Sequence, residues 1–327
     1  MRKAAWLLAL LFGCVFVGAT ILNADLVAQS RAALATAGLA VPDRDPKVRY
    51  HLLVILPDSD DSYFTRLLEG IEATAPEIGA AVQVERYPSA SPDEAERWFD
   101  IGVRSRVDGI VMYFSRGGDV SGHASRAEDA GVVFVAVGKE APAGVLPCFI
   151  GSAPLFQGFE GGRIITGILA QKAMIGIILP SGGKGAPTED SLYKGVAAAA
   201  ATYRGAAILE TQRATGGLFT AEETAEALLD SHPGINAIFC ATSRDTLGAA
   251  RVILDRGLLG SVVLIGADET PELQRYLEEG VVAASIVRDS RRIGVEAVRA
   301  FASMREGEYP PGVIEVDFTV KMGKARG

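Results

Sequence analysis

The residues best suited to chemistry stand together in "LPDSDDSYF", Leu56 to Phe64. Asp58, Asp60 and Asp61 fall within four positions, and two rings, Tyr63 and Phe64, follow at once. One acid or serine here is enough to cap a helix, because a single side-chain oxygen satisfies a free N–H of the first turn. Capping leaves the remaining acids and Tyr63 without a purpose. The surplus reads as a ligand edge, where carboxylates make charge-assisted hydrogen bonds and rings supply apolar contact. The competing reading is a plain cap at Asp60, Asp61 or Ser62, with Phe64 in the core.

Other stretches able to do chemistry fall short of a catalytic set. "PSGGKGAPTEDS" (Pro180–Ser191) suggests a phosphate loop, but the Walker A spacing puts Ile at position 178 and Gly at 185, where Gly and Ser/Thr are required. "YFSRGG" lacks the nucleophile-elbow pattern. His51, His123 and His232 share no metal-ligand spacing with acids or cysteines. No acid, base and nucleophile combine, so the sequence points away from an enzyme and calls for no cofactor or metal.

These residues must be held by elements that the pattern makes visible. From residue 50 onward, apolar runs alternate with helical periodicity: "HLLVIL", "AVQVERY", "GIVMYF", "VVFVAV", "CFIG", then "MIGIIL", "AAILET", "AIFC", "VVLIGA" and "VAASIV". Most are apolar on both faces, as buried parallel strands are. Between them, Ser91-Pro92 with Glu94, Thr220 with Glu223, and Thr270-Pro271 mark helix starts, the first two as capping boxes. The alternation predicts doubly wound α/β architecture. About five strands precede residue 151 and about five follow, which predicts two parallel-sheet lobes. Ligands of such sheets bind beyond the carboxyl ends of the strands, where "PDSDDSYF" lies.

The 327 residues suffice for two domains, and 49% hydrophobic with 22% charged residues is globular composition. A net charge of −8 without any Lys/Arg cluster argues against a nucleic-acid partner. After Met1-Arg2-Lys3, residues 4–22 carry no charge. They suit a secretory signal peptide with Val17-Gly18-Ala19 as its cleavage site, or an uncleaved membrane anchor. The apolar run continuing past Ala19 and the polar, Ala-rich spacer at 23–47 favour the anchor. Either way the rest is expected outside the cytoplasm. Cys148 and Cys240 could pair there, but each flanks an apolar run and is expected to be a separately buried thiol; Cys14 lies in the apolar segment.

The order of "ILPDSDDSYFTRLLEGIEATAPEIG", "VRSRVDGIVMYF", "LLDSHPGINAIFCATSRDTLGAARVILDRG" and "VLIGADETPELQRYLEEGVVAASIVRDSRRIGVEAV" resembles the periplasmic sugar-binding proteins of type I, the ribose/galactose-binding class that shares its ligand domain with LacI-type repressors. The resemblance covers roughly Arg49 to Lys321. It implies two doubly wound parallel-sheet lobes joined by a three-segment hinge: 48–151 plus 288–316 as the first, 152–287 plus 317–327 as the second. It implies closure on one small polar ligand, a sugar, with rings stacked on the sugar face. Carried over by position, the ligand contacts are Asp61, Tyr63, Phe64 and Phe114 in the first lobe, Thr242, Ser243 and Asp268 in the second, and Arg288 in a crossover. Asp268 stands out, since an acid directly after an apolar strand and a glycine is poorly placed for packing; its alternative role is a cap for the helix beginning at Thr270. The implied partner is an ABC permease or, for an anchored form, a membrane sensor such as a kinase.

The chain departs from the pattern of that class. An Asp-Arg pair usually follows the fourth strand, where this chain has Gly138-Lys139. An arginine usually precedes the glycine of the second lobe's first long helix, where "PTEDSLYKGV" has none. Asparagines at the first strand end give way to Asp60 and Asp61. These changes predict an unusually acidic pocket, open to an amine-bearing ligand or an unusual sugar.

Overall fold

The computed structural model describes residues 48–88, 91–114, 119–141, 148–169, 172–180, 190–214 and 218–325. The apolar segment 4–22 and the spacer 23–47 therefore lie outside the described residues. Among the described residues no helix is long and apolar enough to cross a membrane.

The ten apolar runs form the first ten strands. β1 (Tyr50–Asp58), α1 (Ser62–Thr74), β2 (Ala80–Pro88), α2 (Pro92–Ser105), β3 (Gly109–Phe114), α3 (Val120–Asp129), β4 (Val133–Gly138) and β5 (Phe149–Gly151) come first. Then follow α4 (Pro154–Leu169), β6 (Met174–Leu179), α5 (Ser191–Ala201), β7 (Ala207–Arg213), α6 (Leu218–Ser231), β8 (Ala237–Cys240), α7 (Ser243–Asp255), β9 (Val263–Ala267), α8 (Pro271–Glu278) and β10 (Ala284–Arg288). Finally come α9 (Ser290–Arg305), β11 (Val313–Glu315) and β12 (Phe318–Met322). One sheet has the order β11-β5-β4-β3-β1-β2 and the other β12-β10-β9-β8-β6-β7. Every pairing is parallel except β10–β12. The chain passes between the sheets after Gly151, after Arg288 and after Glu315. This is the type I periplasmic-binding-protein fold of two doubly wound lobes.

Strand alternation divides each core in two. Leu52, Val54, Leu56, Val111 and Tyr113 face α1 and α9, with Leu67, Ile71, Ile293 and Phe301. Leu53, Ile55, Ile110, Met112 and Phe114 face the other way, with Phe99, Phe134 and Phe149. The second sheet likewise separates Ile178, Ile238 and Leu264 from Ile175, Ile177 and Phe239. Two helix pairs approach closely through glycines. A Cβ on Gly70 would stand 2.0 Å from the Arg291 carbonyl oxygen, and one on Gly294 would stand 2.1 Å from that of Leu67. Gly158 and Gly195 do the same for α4 against α5.

The helix starts only partly follow the predicted caps. Thr270 caps α8 through Leu273 N and Pro271 opens it. Ser91 is the N-cap residue of α2, yet its side chain makes no capping bond, so the box with Glu94 does not form. α6 begins at Leu218, which places Thr220 inside the helix rather than at its cap. Cys148 and Cys240 are separate, buried free thiols. Burial pushes the Cys148 thiol up to about 11 and raises that of Cys240 as well.

Candidate functional site: a charged crevice between the lobes

The carboxyl ends of β1, β4, β8, β9 and β10 bring their following residues to one place. Asp61 caps α1, its Oδ1 accepting from Tyr63 N at 3.2 Å. The cap reading therefore holds, and it is not the whole role. The same oxygen accepts from Ser243 Oγ of the other lobe at 3.2 Å, and Asp61 Oδ2 lies 3.8 Å from Arg288 Nη2. Ser62 adds two contacts across the crevice, its N and Oγ reaching Ser243 Oγ at 3.3 and 3.1 Å. Ser191 Oγ of the second lobe donates to Glu140 of the first.

Asp268 is not a helix cap, since Thr270 fills that position. It sits in the left-handed region with φ of 61°, where an Asp is tolerated better than most residues. Its N–H donates to the Ile286 carbonyl at 2.9 Å, and its own carbonyl accepts from Ser285 Oγ at 2.7 Å. So held, the carboxylate forms a fork with Arg288: Nε donates to Oδ1 at 2.8 Å and Nη2 bonds Oδ2. The two side chains are only 4% and 5% exposed, so water screens them little. Burial raises the Asp268 carboxyl above its ordinary range, with Arg288 opposing and Asp61 adding to the rise. Burial pulls the Arg288 guanidinium down, but Asp268, Asp61 and Tyr63 together hold it above its usual value. A cavity of about 230 Å³ opens beside the pair, its wall including Ser62, Arg66, Asp268, Arg288 and Thr319.

The rings depart from expectation. Tyr63 is fully buried, with the Arg288 guanidinium carbon 4.7 Å from its ring centroid. Its face holds the arginine rather than lying open for a sugar. Its hydroxyl donates to the Gly138 carbonyl at 3.3 Å, and burial raises its pKa. Phe64 packs edge-on against Tyr63 and Tyr113 inside the core. Phe114 turns away: period-two alternation sends it to the opposite face, against Phe134 and His123. The ring of β3 that reaches Tyr63 is Tyr113, at 6.2 Å. Thr242 is consumed by α7: its Oγ1 accepts from Asp245 N at 3.1 Å and donates to Asp245 Oδ2 at 2.6 Å.

Asp61, Tyr63, Ser243, Asp268 and Arg288 thus come together; Phe64 and Thr242 support them, and Phe114 lies elsewhere. The reading from sequence considered Ser62 only as a helix cap and left Tyr113, Glu140 and Asp245 unremarked. The expected acidic surplus is reduced, though Arg288 still faces two acids. Asp60 is exposed, Asp268 and Asp61 face Arg288, and Asp245 lies 3.5 Å from Arg244.

Residues 52–308 match the periplasmic binding protein domain, and the chain belongs to that family. It is 24% identical over 269 residues to the ribose import binding protein of Escherichia coli (strain K12), covering 81% of this chain and 88% of that one. It is 22% identical over 273 residues to the D-allose-binding periplasmic protein of the same organism, covering 81% and 86%. Among solved structures, a glucose-galactose binding protein from Geobacillus stearothermophilus superposes with a TM-score of 0.73 at 25% identity, over 84% of this chain and 98% of that one. The matched relatives are binding proteins rather than enzymes.

Proposed function

We propose that this chain is an extracytoplasmic solute-binding protein that closes on one small polar ligand of carbohydrate type and presents it to an ABC importer. The observation that carries the reading is the convergence of Asp61, Ser243, Asp268 and Arg288 from both lobes and a hinge crossover. Such groups take hydroxyls in charge-assisted bonds that are strong in an enclosed site. Two relatives, named for ribose import and D-allose binding, support the ligand class. Ligand contacts to both lobes stabilise the closed arrangement over the open one and shift the population towards it. In the alternative arrangement, an uncleaved 4–22 segment holds the same domain to the membrane and closure is reported to a sensor kinase. The apolar run past Ala19 is what favours it, and the mass of the mature N-terminus separates the two.

A thermal-shift screen over sugars, sugar acids, polyols, nucleosides and polyamines tests the ligand class. A true ligand at about 100 times its Kd stabilises the fold by roughly 2.7 kcal/mol. Hydroxylated ligands are expected to raise the melting temperature, and Asp268→Asn to remove that response. A screen in which only polyamines act would refute the carbohydrate reading.

A further inference from the structure

The first helix of the second lobe, α4, has one side in the core and another that the lobe leaves uncovered. Gly158, Gly161, Ile164 and Ile165 are buried. Leu155, Phe156 and Phe159 stay 44%, 62% and 40% exposed, and the last two are the only exposed phenylalanines among the described residues. At 3.6 residues per turn, Phe156, Phe159, Glu160, Arg163 and Gly167 fall on one stripe of the helix. Rings left in water along one stripe mark a surface that something else covers.

The glycines of α4 sharpen this. A Cβ on Gly158 would stand 2.0 Å from the Leu192 carbonyl oxygen, one on Gly161 2.1 Å from the Phe239 ring, and one on Gly162 2.8 Å from the Ala199 Cβ. Packing inside the lobe requires those three. A Cβ on Gly167 would meet nothing within 4 Å. Glycine is less stable than alanine in helical backbone, and no close contact within the lobe offsets that at Gly167. It leaves a gap on the exposed stripe that only a body from outside can use.

The stripe is also complementary to itself. Arg163 donates to the Glu160 carboxylate through Nε at 2.8 Å and Nη2 at 2.5 Å. An antiparallel second α4, related by a twofold axis between residues 161 and 162, sets position 160 opposite 163 and position 156 opposite 167. Glu160 of each copy then meets Arg163 of the other, and the Phe156 ring of each enters the gap at Gly167 of the other. A surface that answers itself in both charge and shape is what a twofold interface needs. The three apolar side chains expose roughly 300 Å² per copy, or roughly 600 Å² in a pair, against about 1,200–2,000 Å² for stable interfaces. The pairing is therefore weak and reversible.

We propose that the exposed face of α4 is a self-association surface, on which a second copy of this chain lays its own α4 antiparallel to form a weak twofold dimer through the second lobe. The proposal does not depend on what the crevice binds.

The test is sedimentation velocity of the full chain in density-matched mild detergent, from about 1 to 100 μM, the range expected of so small an interface. The unaltered chain is expected to pass from one to two copies per particle. Phe156→Ser with Phe159→Ser should keep it at one, which also controls for association through the apolar segment 4–22. Gly167→Leu should fill the gap and prevent pairing, yet leave urea stability unchanged or raised, because leucine is the better helix former and has room there. Glu160→Arg alone, or Arg163→Glu alone, gathers four like charges at the axis and should weaken pairing at least about tenfold. An equal mixture of these two variants sets the two bases of one copy against the two acids of the other and should restore it. That restoration is specific to the antiparallel pairing, since each variant alone lacks the ion pair within its own helix. An unaltered chain that stays single up to about 100 μM overturns the proposal and assigns the face to a different protein or to another segment of this chain. Variants that pair like the unaltered chain, or a mixture that stays single, overturn it as well.

Discussion

Replacing Asp268 by Asn tests whether the forked pair is the electrostatic centre of the crevice. Asn has the shape of Asp and tolerates the left-handed conformation at φ 61°, so the backbone stays as it is and only the charge is lost. Arg288 is then a buried guanidinium whose nearest remaining acid is Asp61, with Nη2 to Oδ2 at 3.8 Å. Breaking a buried pair from one side costs about 3–5 kcal/mol, because the surviving charge is desolvated without compensation. Asp61 recovers a part, and the Asn oxygen still accepts from Nε, which places the expected loss near 3 kcal/mol. In a domain of this size that lowers the melting temperature by about 6–12 °C. The double substitution Asp268→Asn with Arg288→Met removes the orphaned charge as well and should cost less than the single one, a coupling that urea titration followed by circular dichroism resolves. A loss below about 1 kcal/mol for Asp268→Asn, or a double variant no more stable than the single, would refute the reasoning.

Other substitutions probe the contacts around this centre. Ser243→Ala removes the hydroxyl that links Asp61 and Ser62 across the crevice; a loss of about 1 kcal/mol should shift the open-to-closed ratio roughly fivefold, visible by energy transfer between dyes on the two lobes. Gly294→Ala should destabilise the protein despite alanine's better helix propensity, because its Cβ would stand 2.1 Å from the Leu67 carbonyl oxygen and force α1 and α9 apart; unchanged urea stability would contradict that packing. Lys139 predicts a pH effect on stability. Its folded value of about 8 lies below the unfolded one, so its unfavourable contribution is full below pH 8 and is relieved as pH rises towards about 10. Stability should gain about 2 kcal/mol between about pH 7 and 9.5, and Lys139→Met should abolish the gain.

Most of the ten strands were legible because a parallel strand buried on both faces is a continuous apolar run, whereas the edge strands β2 and β7 showed only as mixed runs. β11 left no such mark: Val313–Glu315 is a short edge strand with two exposed residues. The continuity that reveals β3 also hides its orientation. "GIVMYF" has no polar residue to show which side faces α1, so Tyr113 and Phe114 could not be told apart until the sheet was seen. Asp268 was legible as a residue that a strand end does not need for packing and Arg288 only through the family resemblance, and neither as the other's partner, since twenty positions separate them. Ser91 and Thr220 show the limit of cap motifs: the spacing was present, but the local backbone did not use it. The charge balance was only partly legible for a related reason. Acids next to one another in sequence catch attention, while the cations that answer them come from distant strands.

The contacts across the crevice differ in kind from those within each lobe. The lobes are held by large apolar cores, whereas the hydrogen bonds that join them among the described residues include Ser243 to Asp61, the Ser62 hydroxyl and N–H to Ser243, and Ser191 to Glu140, all through a serine hydroxyl. Such bonds exchange with water at a net gain of about 1 kcal/mol for the hydroxyl pair and no more than about 1.5–3 kcal/mol for each bond to a carboxylate. A wide apolar seam would instead lock the lobes together, since burial is favourable by about 25 cal/mol per Å² whether or not a ligand is present. A weak polar seam leaves the outcome to the ligand. Moving such an equilibrium from 1:99 to 99:1 takes about 5.5 kcal/mol of differential affinity. Two or three charged hydrogen bonds, at about 1.5–3 kcal/mol apiece, supply that much. On the proposed reading Asp61 and Arg288 are placed to make them, which ties the choice of ligand and the closing of the crevice to the same side chains.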